Sequence, residues 1–189
     1  MWWLRLDRHA GRLARLALVL AAASLTAGCF QPLYATHPAV GGTEGVRDKL
    51  AAIDIPPIKA PNGSPLERVA VGVRNALQYD LNGAAGGYAP THRLIVKVNA
   101  SQFTVTIDPN SGRPSGQVAS VGATYQLVEI ATGKVVVTDS TFVHVDYDIP
   151  GVEQRFAAMR AKRDAEDHAI QIVADRIRNR LASYFVAGT

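Results

Sequence analysis

A change of hydrophobic period is the feature that most constrains this sequence. From Leu66 to Leu81 apolar residues recur every three or four positions (Leu66, Val69, Ala70, Val73, Leu77, Leu81), the stripe of an amphipathic helix. Ser64-Pro65-Leu66-Glu67 opens it: a Ser N-cap, a Pro at the first helical position, and a Glu three residues on as capping-box partner. Asn82-Gly83 closes it. From Arg93 the period drops to two. Leu94, Val96 and Val98 alternate with Arg93, Ile95, Lys97 and Asn99. After Ser101-Gln102 the apolar parity flips to Phe103, Val105 and Ile107, which predicts a bulge and a core-facing second half. Residues 108–114 (DPNSGRP) read as a turn. Ala119, Val121, Ala123, Tyr125 and Leu127 make the next strand, Ala131 to Lys134 a tight hairpin, and Val135, Val137, Val143, Val145 and Tyr147 the last strand. Pro150-Gly151 breaks the sheet, and a long helix is expected over 152–185, with Phe156, Ile170, Val173, Ile177, Leu181 and Tyr184 toward the core. Its first part, 155–167, is Ala-rich with mixed charges and is expected to project or lie shallowly.

A short edge strand within 50–58 (LAAIDIPPI), stopped by Pro56-Pro57, completes the order β-α-β-β-β-α. Half-apolar strands need one covered face, and two amphipathic helices can supply the cover. The expected fold is α+β: a two-layer sandwich with a four-stranded, mostly antiparallel sheet and both helices on one face. A chain that is 48% hydrophobic and 19% charged can build such a domain.

The front end reads differently. Residues 4–15 are basic, Leu16 to Leu25 is apolar but only about half of the ~20 residues a spanning helix needs, and Thr26-Ala27-Gly28 then leads into Cys29. This is the pattern of a lipoprotein export signal, with Thr26 at the position where Leu is usual. Cys29 is the only cysteine, so no disulfide is possible within the chain. The expected division is a signal peptide at 1–28, a lipidated Cys29 and flexible tether at 29–48, and one domain at 49–189. A diacylglycerol and an N-acyl chain (palmitate) on Cys29 would anchor durably where a single chain would not. Phe30, in place of Asp, favours the outer membrane, periplasmic side. The net charge of +4 does not point to nucleic acid, because Arg5, Arg8, Arg12 and Arg15 lie in the signal and residues 29–189 are nearly balanced.

No catalytic constellation emerges, and the chain reads as a non-enzyme without cofactor or metal. The His residues are scattered, and no P-loop, G-x-S-x-G or G-x-G-x-x-G occurs. Asp108, Asn110 and Gly112 resemble part of a calcium loop but lack its closing Glu, so a turn held by Asx bonds is the better reading. Asp146 and Asp148 read as a solvated rim. The polar parity of the strands sets out a hydroxyl-rich free face: Arg93, Lys97, Thr104, Thr106, Ser120, Thr124, Gln126, Lys134, Thr138, Ser140 and His144. Such a face is an ordinary solvated surface, or it meets the polar lumen of a β-barrel, or it binds phosphorylated and acidic sugars through Arg and Lys.

Several stretches together resemble the LPS-assembly lipoprotein family LptE in its alphaproteobacterial form. They are Cys29 to Tyr34 (CFQPLY), Arg74 to Leu77 (RNAL), Ala123 to Leu127 (ATYQL) leading to Ala131 to Val135 (ATGKV), Arg163 to Ala165 (RDA), Ala174 to Ile177 (ADRI) and Leu181 to Phe185 (LASYF). Phe30 departs from the family's more usual Gly. The resemblance implies the same two-helix, four-stranded fold. It also implies a plug in the lumen of the β-barrel LptD, the pair inserting lipopolysaccharide into the outer leaflet, with lipopolysaccharide itself as a ligand of basic residues. No motif assigns those contacts; strand parity nominates Arg93, Lys97 and Lys134. The alternatives are a periplasm-facing ligand-binding lipoprotein that acts without a barrel, with a pocket between helices and sheet, and a small hydrolase.

Overall fold

The computed structural model describes residues 45–83, 89–149 and 154–187. Cys29, the signal, most of the expected tether and Pro150-Gly151 lie outside the described residues. The elements in chain order are α1 (Val46–Ala51), β1 (Ile53–Asp54), α2 (Pro65–Asn82), β2 (His92–Ile107), β3 (Pro114–Glu129), β4 (Val135–Asp148) and α3 (Arg155–Ala187). The expected α+β sandwich is the observed one, preceded by the short helix α1. The sheet order is β1-β2-β3-β4, with β1 parallel to β2 and the other pairs antiparallel.

α1 is held at its start by the Asp48 carboxylate, which accepts the Gly45 N–H at 3.2 Å, and it buries Leu50. β1 is only two residues because Pro56 and Pro57 have no N–H for the ladder. The extended chain that follows is fixed from α2, where Arg74 Nε donates to the Ile55 carbonyl at 3.1 Å. α2 begins as its sequence implies: Ser64 Oγ accepts the Glu67 N–H at 3.3 Å. The Glu67 carboxylate reaches one residue further back than a capping box requires, to the Gly63 N–H at 2.6 Å.

The core lies between the sheet and α2 with α3. Val69, Val73 and Leu77 of α2, Leu94 and Val96 of β2, Val121 and Leu127 of β3, and Val173, Ile177 and Leu181 of α3 are all buried. Asp139 and Thr141 interrupt the apolar parity of β4, and Asp139 has a specific use there: Arg180 of α3 pairs with its carboxylate at 3.2 Å. A second arginine, Arg176, donates to the Phe142 carbonyl at 2.7 Å. Arg68 of α2 bridges to α3 through Asp167 at 2.6 Å and through Glu166.

Four expectations require correction. β2 runs in unbroken register from His92 to Thr104, and its irregularities fall at 104–107, so no bulge sits at 101–102. Phe103 therefore stays on the face of Arg93 and Lys97, and Phe103, Val105 and Ile107 are all exposed. Phe156 is also exposed, because α3 begins beyond the covered part of the sheet. Val135 precedes a register shift at Leu127/Val128 and is exposed as well. On β2 the physical reason is local: past Val98 its helix-side positions are Ala100, Gln102 and Thr104, so the second half of the strand turns no large apolar side chain toward the helices. There Gln117 accepts from Tyr147 Oη at 2.7 Å and from Gln102 Nε2, and donates to Thr104 Oγ1 at 3.4 Å. A polar network of this kind offers a helix nothing apolar to pack on.

Candidate functional site: the free face of the sheet

The face turned away from the helices is built row by row from the register. Across β2, β3 and β4 the rows are Lys97–Thr124–Ser140, Asn99–Gly122–Phe142 and Ser101–Ser120–His144, with Phe103 and Val118 in the next. Near the β3–β4 turn the face is polar: Arg93, Lys97, Thr124, Gln126, Thr138 and Ser140 are exposed, with Ile95 among them. Further along it becomes aromatic. Phe103 from β2 and His144 from β4 meet edge-on with ring centroids 5.7 Å apart, and Phe142 tilts against His144 at 5.4 Å. Strands two apart in a sheet are separated by about 10 Å, so these rings lean over β3. Val118 and Ser120 beneath them are correspondingly buried, although they belong to the free face. The Asn99 side chain folds over Gly122 in this floor: a Cβ there would come within 2.4 Å of its Oδ1, so a larger residue would turn that exposed amide aside.

Arg93 and Lys97 share this face. Arg93 is tied to Asp54 at 2.9 Å, which stitches β1 to β2 and offsets part of its charge. Lys97 is exposed and makes no ion pair with any described residue. Lys134 lies in the β3–β4 turn, not on a strand, with its N–H donating to Thr132 Oγ1 at 3.2 Å and its carbonyl accepting from Glu129 N. It joins Arg93 at the same end of the sheet without sharing a row with it. Thr104 belongs to the opposite face, where Gln117 holds it. Sequence reasoning missed Phe142 and the placement of Phe103. Strict parity from Ser140 to His144 was the signal for Phe142.

The face offers phosphate- and sugar-binding groups and aromatic surface, without an arrangement for bond chemistry. Displaced pKa values belong to groups elsewhere. Burial, aided by the nearby Asp139 charge, pushes the Tyr125 phenol up to about 12. Burial and then the Glu166 charge raise Tyr147, and burial lowers His92. None of these makes an acid–base pair aimed into a cleft. Among the described residues no group of His, Cys, Asp and Glu is placed to hold a metal ion, and no helix is long and apolar enough to cross a membrane. At the far hairpin Asp108 Oδ1 accepts the N–H groups of Asn110 and Ser111 at 2.7 and 3.1 Å, so the calcium-like residues form a self-contained turn.

Comparison with known proteins places this architecture. The structure of a candidate lipoprotein from Caulobacter crescentus CB15 is similar, with a TM-score of 0.58 at 19% identity, over 75% of this chain and 96% of that one. Rare lipoprotein B from Shewanella oneidensis aligns over 71% of this chain and 96% of its own, with a TM-score of 0.49 at 17% identity. No curated protein matches the chain by sequence. The family model LptE, described as lipopolysaccharide-assembly, matches residues 50–181, from the end of α1 into the last turns of α3. That family is non-enzymatic. With well over half of its length matched, the chain belongs to the LptE family.

Proposed function

We propose that this protein is an outer-membrane lipoprotein of the alphaproteobacterial LptE type, acylated at Cys29. Its domain plugs and helps to assemble an LptD-type β-barrel, and it assists lipopolysaccharide insertion into the outer leaflet. The observation that carries the reading is the free sheet face, long and hydroxyl-rich, with its carboxylates at Asp54, paired to Arg93, and at Asp146 and Asp148 toward the far end; it suits the polar wall of a barrel lumen. Arg93, Lys97 and Lys134 are the cations available there to phosphorylated sugars. Acyl chains at Cys29 would hold the domain at the periplasmic mouth and raise its effective concentration near the barrel.

The rival reading, a ligand-binding lipoprotein without a barrel, needs a pocket between helices and sheet. Among the described residues that layer is occupied by Val73, Leu77, Leu94, Leu127, Ile177 and Leu181, all without solvent access. The test is a detergent pull-down from outer membranes with a C-terminal tag and a Cys29→Ala control. Recovery of a heat-resistant complex with one large barrel protein in near-equal amount is expected. Recovery of the lipoprotein alone, under solubilisation that preserves other barrel complexes, would overturn the plug.

A further inference from the structure

The opening turns of α3 are built unlike the rest of that helix. Ala158, Ala161 and Ala165 turn inward, partly or fully buried. At 3.6 residues per turn the opposite stripe carries Phe156, Met159, Arg160 and Arg163. Phe156 is 81% exposed and Met159 51%. Arg155, Arg160 and Arg163 are exposed and pair with no described residue, while Lys162 reaches Glu166 at 3.8 Å. With Lys162 matched to Glu166, three exposed arginines stand beside one carboxylate, Asp164, between 155 and 164, and the partial positive charge of the helix start adds to them.

Two properties coincide on one stripe, and they select the partner. An acidic protein surface would match the arginines and leave Phe156 and Met159 without a partner. A phosphate-bearing bilayer takes both: cations against headgroups, apolar side chains at the acyl boundary, the arrangement of an interfacial helix. We propose that residues 155–164 of α3 are a docking face for an anionic lipid bilayer surface. Reach does not forbid it. Cys29 precedes Gly45 by sixteen residues, which span at most about 55 Å, and the 33 residues of α3 extend about 50 Å. An anchored domain can therefore lay this stripe on the membrane that holds its lipid.

The inference is independent of the barrel, and its test contains none. The full chain carries Phe156→Trp as a fluorescent reporter, with Trp2→Phe and Trp3→Phe so that no other indole emits. It is bound to vesicles of phosphatidylcholine alone or mixed with phosphatidylglycerol. With phosphatidylglycerol the emission should shift to the blue and be quenched by brominated acyl chains. On phosphatidylcholine alone both effects should be absent, and salt should weaken them. Arg160→Glu with Arg163→Glu should abolish the shift, and the milder pair Arg160→Gln and Arg163→Gln should reduce it. Far-UV dichroism should be unchanged in both, since the replaced side chains are exposed. An unchanged emission on anionic vesicles overturns the proposal, as does an equal shift on both compositions.

Discussion

The end of the domain near α1 and the β3–β4 turn differs from the end near the Asp108 hairpin in what holds it together. At the first, helices cover one sheet face, and Leu77, Leu94, Leu127, Ile177 and Leu181 are shut off from water. At the second, the sheet continues past its cover: Phe103, Val105 and Ile107 are exposed, Phe156 opens α3 in solvent, and a glutamine–tyrosine network replaces apolar packing. β2 at sixteen residues and β4 at fourteen are long for strands in globular domains, and the excess length is the uncovered part. Stability is thus concentrated at one end, and the surfaces suited to partners extend over the other. A protein that is largely stabilised by half of its length can commit the remaining half to recognition.

The largest expected effect is the contrast in truncations across the two ends. Leu77→Ala leaves a cavity between α2 and the sheet and should cost about 3–4 kcal/mol. Ile107→Ala, at the exposed end, should cost less than about 0.5 kcal/mol. Chemical denaturation of both variants reads the difference directly. Comparable losses would break the distinction, for they would mean that the far hairpin is part of the cooperative core.

That contrast also accounts for which parts of the fold were legible in the sequence. Ser64-Pro65 and the six apolar positions of α2 announced a helix because capping and periodicity act locally, and the structure places that helix where they imply. Strand parity worked along most of the covered sheet: Leu94, Val96, Val121, Tyr125, Leu127, Val137 and Val143 are all buried as read. It failed at Phe103, Val105, Ile107 and Val135, and helical periodicity failed at Phe156. Apolar parity reports the core only where a second layer exists, and past Val98 the cover lies over β3 and β4, leaving Ala100, Gln102 and Thr104 of β2 beside it. α1 went unseen because a six-residue helix with one buried side chain, Leu50, has no periodicity to show. At the candidate site, Arg93 and Lys97 fell on the face that parity gave them. The pairing of Arg93 with Asp54 was not readable, since it depends on a parallel contact between segments 39 residues apart.

A second, smaller effect should appear at high pH. The Tyr125 phenol lies on the covered face, with its pKa raised to about 12 by burial and by Asp139. A folded pKa above the unfolded value of about 10 means that the native state retains the proton more tightly. Its contribution to stability is complete below pH 10 and is lost as pH rises toward 12. Melting temperatures should therefore fall between those values, and Tyr125→Phe should fall less steeply over the same window. Parallel curves would show that the ionisation of Tyr125 is not coupled to folding, and that the covered end is wetter than its burial indicates.

The smallest expected effect lies at the tip of the far hairpin. Asp108 Oδ1 accepts the N–H groups of Asn110 and Ser111, and Gly112, at φ +65°, lets the chain return to β3. Asp108→Ala removes both side-chain bonds, and local stability should fall by about 0.5–1 kcal/mol. If the two ends are energetically separate, the loss remains local. Amide exchange at Asn110, Ser111 and Gly112 should accelerate several-fold, while amides of α2 and of β3 at Val121 to Leu127 keep their rates and the global denaturation midpoint barely moves. Acceleration in α2 would show that the hairpin tip is coupled to the core. The exposed end would then be a rigid extension of the covered one and not a separately adaptable surface. The two outcomes predict different behaviour on binding. A separable tip can reshape against a partner at little cost to the fold, whereas a coupled tip must present its surface ready-made.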